Sequence, residues 1–214
     1  MNEKDRRKHA GREFLSAINE AVKGELARQG FTESRAGTYL RSIGERLDVI
    51  WIQKHSTDET CCVNLGIHYS FIWKIGSTDL PTDGKIDQPE CELKIRLTGD
   101  PESNDQWWPL NQGGVNAITT LLKNRVLDLF TKYDLEGEIA KLSVDDFIGG
   151  VPPILKPMTK VRAVLLLARI HDYLGNQGQA IELAQFGLKV AGMAVGPKKA
   201  FKEILKNAGR IGLT

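Results

Sequence analysis

An alternating stretch at residues 61–73, CCVNLGIHYSFIW, constrains the fold of this chain more than any other segment. Read with a period of two, its apolar side chains fall on one side and its smaller or polar ones on the other. The apolar side carries Cys61, Val63, Leu65, Ile67, Tyr69, Phe71 and Trp73, and the polar side carries Cys62, Asn64, Gly66, His68 and Ser70. This pattern predicts a half-buried β-strand over residues 60–73, with hydrogen-bonding groups on its second face.

Three further segments have the composition of strands: 38–43, 47–54 and 90–98. Turn-forming residues separate them, namely Gly44-Glu45, residues 56–59 and the stretch from 76 to 89. Short connections favour antiparallel pairing, because a parallel pair needs a crossover of a dozen residues or more. We therefore expect the first three strands to form a meander, and the fourth, after its longer loop, to pair elsewhere in the same sheet.

Amphipathic helices flank these strands at residues 11–29 and 114–133, and shorter helical pieces are predicted at 135–141 and 143–148. A glycine, Gly30, follows the first helix, and glycine readily adopts the left-handed backbone conformation that ends a helix. The segment Gly149-Gly150-Val151-Pro152-Pro153 then breaks regular structure. The prediction is an α+β domain at 1–150, with an antiparallel sheet of about four strands, followed by a helical subdomain at 151–214.

The helical subdomain is predicted to hold three helices, at 159–174, 177–191 and 197–208. Small residues at three- and four-residue spacing allow close helix packing. The positions concerned are Leu167 and Ala168 in the first helix, Gly175 at the turn, and Ala180, Ala184 and Gly187 in the second. This segment resembles one tetratricopeptide-type hairpin. A single copy implies a subdomain packed on the sheet domain, because solenoids need about three repeats.

Composition indicates an ordinary globular protein of the cytoplasm. Hydrophobic residues make up 41% and charged residues 26% of the chain. No apolar run of about 18 residues is present, so we expect no membrane span. The charged N-terminus lacks the apolar centre of a secretory signal. Three cysteines, two of them adjacent, make no disulfide framework and suit a reducing compartment.

Charge divides unevenly along the chain. Residues 1–155 carry 19 Lys+Arg against 24 Asp+Glu, whereas residues 156–214 carry 10 against 3. A basic tail can bind nucleic acid, here through Lys198, Lys199, Lys202, Lys206 and Arg210. The lysines are spread rather than packed into one run, which favours the alternative of a solvated helical surface.

The polar side of the sheet holds the residues that we expect to bind a partner. If the third and fourth strands share a sheet, Asn64, His68, Lys94 and Arg96 occupy one surface, and Gln53 ends the neighbouring strand. Directed hydrogen bonds from such groups can recognise a ligand. The alternative is a solvated face held by cross-strand pairs. The second strand is apolar on both sides, which predicts that part of this face is covered.

No catalytic, metal or cofactor motif is recognisable. His68 could act as an acid or base, yet no serine or cysteine nucleophile stands in a recognisable elbow beside it. Cys61 and Cys62 point to opposite faces of a strand and cannot easily share a metal, and Cys61 and Cys91 are predicted to be core thiols. No metal or cofactor is expected.

Two adjacent tryptophans, Trp107 and Trp108, end a polar loop. Tryptophan dominates many binding surfaces, so the pair is a candidate anchor for a partner. The alternative is that a ring closes the open end of the core, which we expect for at least one of the two.

Several of these residues together resemble a bacterial family, the domain of unknown function 4304, over about residues 11–145. The resemblance is carried by Gly30-Phe31, Tyr39-Leu40-Arg41, residues 49–54 ending in Gln53-Lys54, Val63-Asn64-Leu65-Gly66, Arg96 and Trp107-Trp108. It implies no chemistry. It does imply that Gln53, Asn64, Arg96 and Trp108 match motif positions of the family.

These observations predict a non-enzymatic protein-binding module, one form of which is an immunity protein that neutralises a cognate toxin. The exposed polar face, the tryptophan pair and the absence of a catalytic set favour it. One alternative is an enzyme for a small ligand, with His68 as acid or base and Arg96 or Lys94 holding an anionic group. The other is the nucleic-acid binder described above.

Overall fold

The structure is a computed structural model that describes residues 3–77, 79–82, 85–100, 103–156 and 158–211. By packing, the chain forms two compact units, residues 1–130 and 131–214. The first holds the sheet and its helices, and the second is helical. The predicted limits of 1–150 for the α+β domain and 151–214 for the helical subdomain stay a prediction.

The sheet has antiparallel pairing throughout, in the order β1-β2-β3-β4-β5, and β6 also pairs with β4. Its strands are β1 (Thr32–Arg35), β2 (Thr38–Ile43), β3 (Arg46–Lys54), β4 (Thr60–Tyr69), β5 (Leu93–Leu97) and β6 (Trp108–Pro109). The predicted α+β class and the meander are confirmed. The sheet has more strands than the expected four, because β1 and β6 are too short for alternation to reveal them.

One face of the sheet, the helix face, packs against helices α1 (Glu3–Arg28), α2 (Gln112–Asn124) and α3 (Val126–Thr131). Tyr39 of β2 donates its hydroxyl to Asn19 Oδ1 of α1 at 3.3 Å. Arg46 of β3 donates Nη1 to the Phe130 carbonyl oxygen of α3 at 2.7 Å. The buried side chains of the helices are Phe14, Ile18, Val22, Leu26, Val115, Ile118, Leu122, Val126 and Phe130. Their spacing is the amphipathic pattern read from the sequence.

The helix boundaries differ from those expected at two places. Helix α1 extends back to residue 3 and ends before Gly30, whose φ of 82° is the left-handed stop that glycine favours. The predicted helix 114–133 is two helices, since Arg125 has φ −130° and interrupts the first. Asn111 caps α2 by accepting a hydrogen bond from the backbone N–H of Gly114 at 3.1 Å.

The predicted strand 60–73 ends early, at Tyr69. Its partner β3 begins at Arg46, which lies opposite Tyr69, so the pairing of these two strands stops there. The chain leaves the strand in a turn, in which Ser70 N–H donates to Glu45 O at 2.8 Å. Trp73, expected on the apolar side of the strand, is consequently 51% exposed.

The second face of the sheet is covered at one end. Segment 86–91, which includes a 3₁₀ helix at Gln88–Glu90, crosses β3 and β4 there. Cys91 and Ile86 pack with Leu47 and Val49 in a buried cluster. Coverage of part of this face was predicted from the apolar second strand. Cys91, however, lies on this face and not with Leu93, because β5 begins three residues later than expected and Cys91 belongs to the covering segment.

The second unit contains α4 (Lys160–Tyr173), α5 (Gln177–Val190) and α6 (Val195–Ile211), within a few residues of the three predicted helices. Short 3₁₀ helices at Ile139–Lys141, Asp145–Phe147 and Pro153–Leu155 precede them. Helix α5 packs on both α4 and α6. A Cβ atom at Gly187 would lie 2.2 Å from the Phe201 ring, so only glycine permits this approach of α6.

In the part of the chain that the structure describes, no helix combines the length and the apolar character needed to cross a membrane.

Candidate functional site

The uncovered end of the second face brings several predicted site residues together. Antiparallel register places Asn64 of β4 directly opposite Arg96 of β5 on one side and Trp51 of β3 on the other. Gln53 of β3 lies opposite Cys62 of β4. Side chains on one face recur every second residue, so Gln53, Cys62, Asn64 and Arg96 all project from the same surface. Sheet pairing thus assembles residues from three strands.

Hydrogen bonds join the side chains at the centre of this surface. Asn64 Nδ2 donates to Gln53 Oε1 at 3.0 Å, and it lies 3.7 Å from Cys62 Sγ. Asn64 is 8% exposed and Gln53 is half-buried. This hydrogen bond involves one polar atom of each amide. The other two, the donor Gln53 Nε2 and the acceptor Asn64 Oδ1, have no hydrogen-bond partner among the described residues.

The loop before β6 completes the surface around Arg96. Its guanidinium lies over the Trp107 ring, 5.2 Å from the centroid, in cation–π geometry. Arg96 Nε and Asp105 Oδ1 are 3.3 Å apart, and Trp107 Nε1 donates to Asp105 Oδ2 at 3.0 Å. Arg96, Asp105 and Trp107 therefore contact one another, and the guanidinium is held by both the indole ring and the carboxylate.

His55, just after β3, extends the aromatic contact. Its ring meets the Trp107 ring edge-on, with centroids 4.8 Å apart and an interplanar angle of 83°. Nδ1 of His55 accepts hydrogen bonds from the backbone N–H groups of Thr57 and Asp58, at 3.3 and 3.1 Å, which fixes the ring. We use the name Arg96 cluster for these residues: Gln53, His55, Cys62, Asn64, Arg96, Asp105 and Trp107.

The two adjacent tryptophans have different environments. Trp108 is 4% exposed in β6, where it pairs with Cys61 and closes the end of the core. Its neighbour Trp107 is half-buried on the Arg96 cluster. Trp107 precedes β6, and its ring contacts Arg96 and His55, whereas the ring of Trp108 is in the core. Trp107 is therefore the ring that is partly exposed on the cluster.

His68 and Lys94 share the face but lie outside the cluster. His68 is fully buried, with Nε2 2.9 Å from the Ile72 carbonyl oxygen and Nδ1 accepting from Glu92 N–H at 3.2 Å. It thereby ties the turn after β4 to the start of β5. Lys94 is half-buried two residues before Arg96 and opposite Gly66. The cluster thus has the positive charge of Lys94 nearby, but the imidazole of His68 is not part of it.

The thiols differ in their surroundings. Burial raises the pKa of Cys61 to about 12 and raises the pKa of Cys91. Burial also raises the pKa of Cys62, but the positive charge of Arg96 and the hydrogen bond from Asn64 partly offset the increase. At neutral pH all three are thiols, which are weak nucleophiles. Among the described residues, no three His, Cys, Asp or Glu side chains converge in a way that could hold a metal ion.

One protein family matches the chain over this part of the molecule. The profile of the domain of unknown function 4304, DUF4304, matches residues 22–132, more than half of the 214 residues. The chain belongs to the DUF4304 family. No curated protein and no solved structure matches it.

The DUF4304 match runs from within α1 to the first residue after α3, and it contains every residue of the Arg96 cluster. Three of the four positions that the resemblance singled out, Gln53, Asn64 and Arg96, lie in this cluster. The fourth, Trp108, closes the core beside it. The family domain therefore includes the sheet and its open surface, and the match ends before the helices of the second unit.

Sequence reasoning did not single out Asp105, His55 and Cys62 as members of a site. Cys62 and His55 could have been found, since Cys62 alternates with Asn64 and His55 continues the polar end of β3. Asp105 gave no signal, because it lies in an irregular loop where neither periodicity nor spacing predicts its neighbours.

Proposed function

We propose that this chain is a non-enzymatic protein-binding module that recognises its partner with the Arg96 cluster. One observation carries the proposal: an arginine and a tryptophan, stacked on each other, lie partly exposed on the face of a rigid sheet. Tryptophan and arginine are enriched among the residues that contribute most to protein interfaces. Both are held by neighbours before any partner arrives, which lowers the entropic cost of binding.

The polar groups around this stack supply specificity in the proposal. The amides of Gln53 and Asn64 present a donor and an acceptor beside the indole ring of Trp107. A partner that fails to pair with them would leave buried polar groups unsatisfied, which costs about 1–3 kcal/mol for each group. The cluster would therefore select partners by directed hydrogen bonds as well as by the area they bury.

In the narrower form of the proposal, the partner is a toxin and this chain is the immunity protein that occludes it in the cytoplasm. Support comes from the type of protein, a compact family domain with a recognition surface, and from three free buried cysteines that suit a reducing compartment. The test is co-expression with the product of the adjacent gene. Growth arrest by that product alone, and its relief by this chain but not by the Trp107→Ala variant, would support this form.

Affinity capture from the native host tests the broader proposal. The wild-type chain should retain a partner in stoichiometric amount, and Trp107→Ala should lose it. Trp73→Ala is the matched control, because Trp73 is a 51% exposed tryptophan outside the cluster. Loss of the partner with both variants, or with neither, would contradict a role for the cluster. Thermal unfolding of each variant separates lost binding from lost folding.

Catalysis by His68 has less support than binding. An acid or base must reach the proton it transfers, within about 2.6–3.2 Å of the reacting atom. His68 is fully buried, and both of its ring nitrogens lie within hydrogen-bonding distance of backbone groups. The enzyme alternative would need a role for Arg96 or Lys94 that does not involve this imidazole.

Nucleic-acid binding is the second candidate, favoured by the exposure of Lys199, Lys202 and Lys206 on α6. Lys198 is half-buried, Glu203 lies among the lysines, and the side chain of Arg210 is outside the described residues. If these lysines bind phosphates, affinity for a double-stranded DNA probe should fall steeply with salt. The triple substitution to glutamine should then reduce the salt dependence. Undetectable binding at low salt would eliminate this candidate.

A further inference from the structure

Two donors from different elements converge on one carboxylate in the Arg96 cluster. Arg96 on β5 contacts Oδ1 of Asp105, and the indole Nε1 of Trp107 donates to Oδ2. Each oxygen of the carboxylate thus has its own donor, one of them charged. Hydrogen bonds between ionised groups are about twice as strong as neutral ones. Arg96 and Trp107 thus form a two-donor site that holds the Asp105 carboxylate.

Arg96 and Asp105 differ in how firmly the rest of the protein holds them. Arg96 projects from a paired strand and stacks on Trp107, and its side chain is 26% exposed. Asp105 lies in the loop before β6, and its side chain is 57% exposed. Ion pairs with such exposure stabilise a protein by about 0.2–1 kcal/mol. A competing carboxylate can therefore displace Asp105 at little cost.

Asp105 also leaves the guanidinium incompletely used. Arg96 Nη1 is buried and has no hydrogen-bond partner among the described residues. Buried donors nearly always have acceptors in folded proteins, so a donor without one indicates a site that is not fully satisfied. A guanidinium offers five N–H donors in a planar fork, and Asp105 meets this fork at Nε.

We infer that the Arg96 cluster binds an aspartate or glutamate side chain of the partner protein, which replaces Asp105 on Arg96 and Trp107. This inference rests on the proposed function. Asp105 is then an internal competitor: its carboxylate pairs with Arg96 and Trp107 until the partner's carboxylate replaces it. Lys94, on the same face of β5 as Arg96, adds positive charge that complements an acidic partner segment.

A peptide titration of the full chain tests the inference without the natural partner. The probe is acetyl-Gly-Glu-Gly-amide, and its matched control is the same peptide with glutamine. Nitrogen-15 NMR follows the indole N–H of Trp107 and the Nε–H of Arg96. The glutamate peptide should shift both resonances in a saturable manner, and the glutamine peptide should not. Arg96→Lys should abolish the response, since lysine keeps the charge but lacks the planar fork.

Substituting the internal competitor gives the sharper result. Asp105→Asn should bind the glutamate peptide about threefold more tightly, the factor expected when an exposed ion pair of about 0.6 kcal/mol no longer competes. Asp145→Asn, an exposed aspartate in the second unit, makes the same change in net charge and should leave the affinity unaltered. Equal affinity in wild type and Asp105→Asn would overturn the role of Asp105.

The remaining outcomes are also decisive. Absence of shifts, or equal shifts from the glutamine peptide, would overturn carboxylate recognition. A peptide with a free C-terminal carboxylate and no acidic side chain should bind more weakly, and tighter binding by it would overturn the assignment to a side chain. These results can be distinguished from failure of the proposed function. In that case the glutamate peptide binds, but the capture experiment finds no partner whose binding depends on Trp107.

Discussion

Two arginine–aspartate sites in the first unit use the same chemistry in opposite surroundings. On the helix face, Asp48 accepts hydrogen bonds from Arg41 and Arg46, and the side chains of all three are at most 8% exposed. On the second face, Arg96 meets Asp105, whose side chain is 57% exposed. The first site is buried, whereas the second is partly exposed to solvent.

The difference lies in how completely each charge is satisfied. Four hydrogen bonds of 2.6–3.0 Å link the two guanidiniums to the Asp48 carboxylate. The outer nitrogens of Arg46 and Arg41 reach the carbonyl oxygens of Phe130 and Gln29. Arg96 has one carboxylate contact, and its Nη1 has no hydrogen-bond partner in the described part of the chain. Complete pairing of buried charges stabilises the fold, whereas the partly exposed pair of Arg96 and Asp105 contributes little to it.

The largest effect is expected when the closed site is broken. Asp48→Ala should lower the free energy of unfolding by about 3–5 kcal/mol, because two buried guanidiniums lose their counter-charge. Urea denaturation at pH 7 measures the change. A loss below about 1 kcal/mol would contradict the view that this site is sealed from water.

A smaller loss is expected where the second face is covered. A Cβ atom at Gly66 would lie 2.6 Å from Cys91 Sγ and 3.2 Å from Gln88 Cγ. Gly66→Ala should therefore force segment 86–91 outward and reduce stability by about 1–3 kcal/mol. Gly24→Ala is the matched control, since its added methyl meets nothing within 4 Å. Equal stability of the two variants would mean that the covering segment yields freely.

The two faces should also differ in their response to alkaline pH. A buried thiol with a raised pKa keeps its proton when folded and loses it when unfolded, so stability declines as pH rises past about 9 toward 12 for Cys61. This linkage removes about 1–2 kcal/mol at pH 10 for one such thiol. Denaturation at pH 7 and pH 10 should show less decline in Cys61→Ala than in wild type.

Cys62→Ala provides the comparison for that measurement. Its pKa is also raised, but Arg96 and Asn64 offset part of the increase. The substitution should therefore remove less of the alkaline decline than Cys61→Ala does. A larger effect of Cys62→Ala than of Cys61→Ala would show that Arg96 and Asn64 lower the pKa of Cys62 less than their contacts indicate.

The smallest effect is expected in the open site. Asp105→Asn should change the free energy of unfolding by about 0.5 kcal/mol or less, because an exposed ion pair contributes little. Urea denaturation run beside Asp48→Ala tests the contrast directly. A loss of several kcal/mol for Asp105→Asn would show that this aspartate stabilises the fold and that its contact with Arg96 is not exchangeable.

Much of the fold was predictable because its signals are local. Alternation at residues 61–69 identified β4 and its faces, and helical spacing identified the buried side chains of α1 from Phe14 to Leu26. The end of β4 was not predictable in the same way. Phe71 and Trp73 continue the alternation, but the partner strand has already ended, and a strand needs a neighbour to satisfy its backbone.

The candidate site was predictable only in part. Gln53, Asn64 and Arg96 were identified, because alternation and register place strand residues on a shared face. His68 was grouped with them by the same alternation, although segment 70–73 and the start of β5 enclose it. The roles of Trp107 and Trp108 could not be separated, since their adjacent positions carry equal signals until one of them enters β6.

The sequence by itself determined an antiparallel α+β domain, the apolar side of its central strand and three strand residues of the surface. Tertiary structure alone decided which half of the second face stays open, because segment 86–91 comes from a loop without periodicity. It also decided that Asp105 meets Arg96 and that Trp107 is the accessible ring. A period of two assigns each residue of a strand to a face, but what covers that face depends on distant segments.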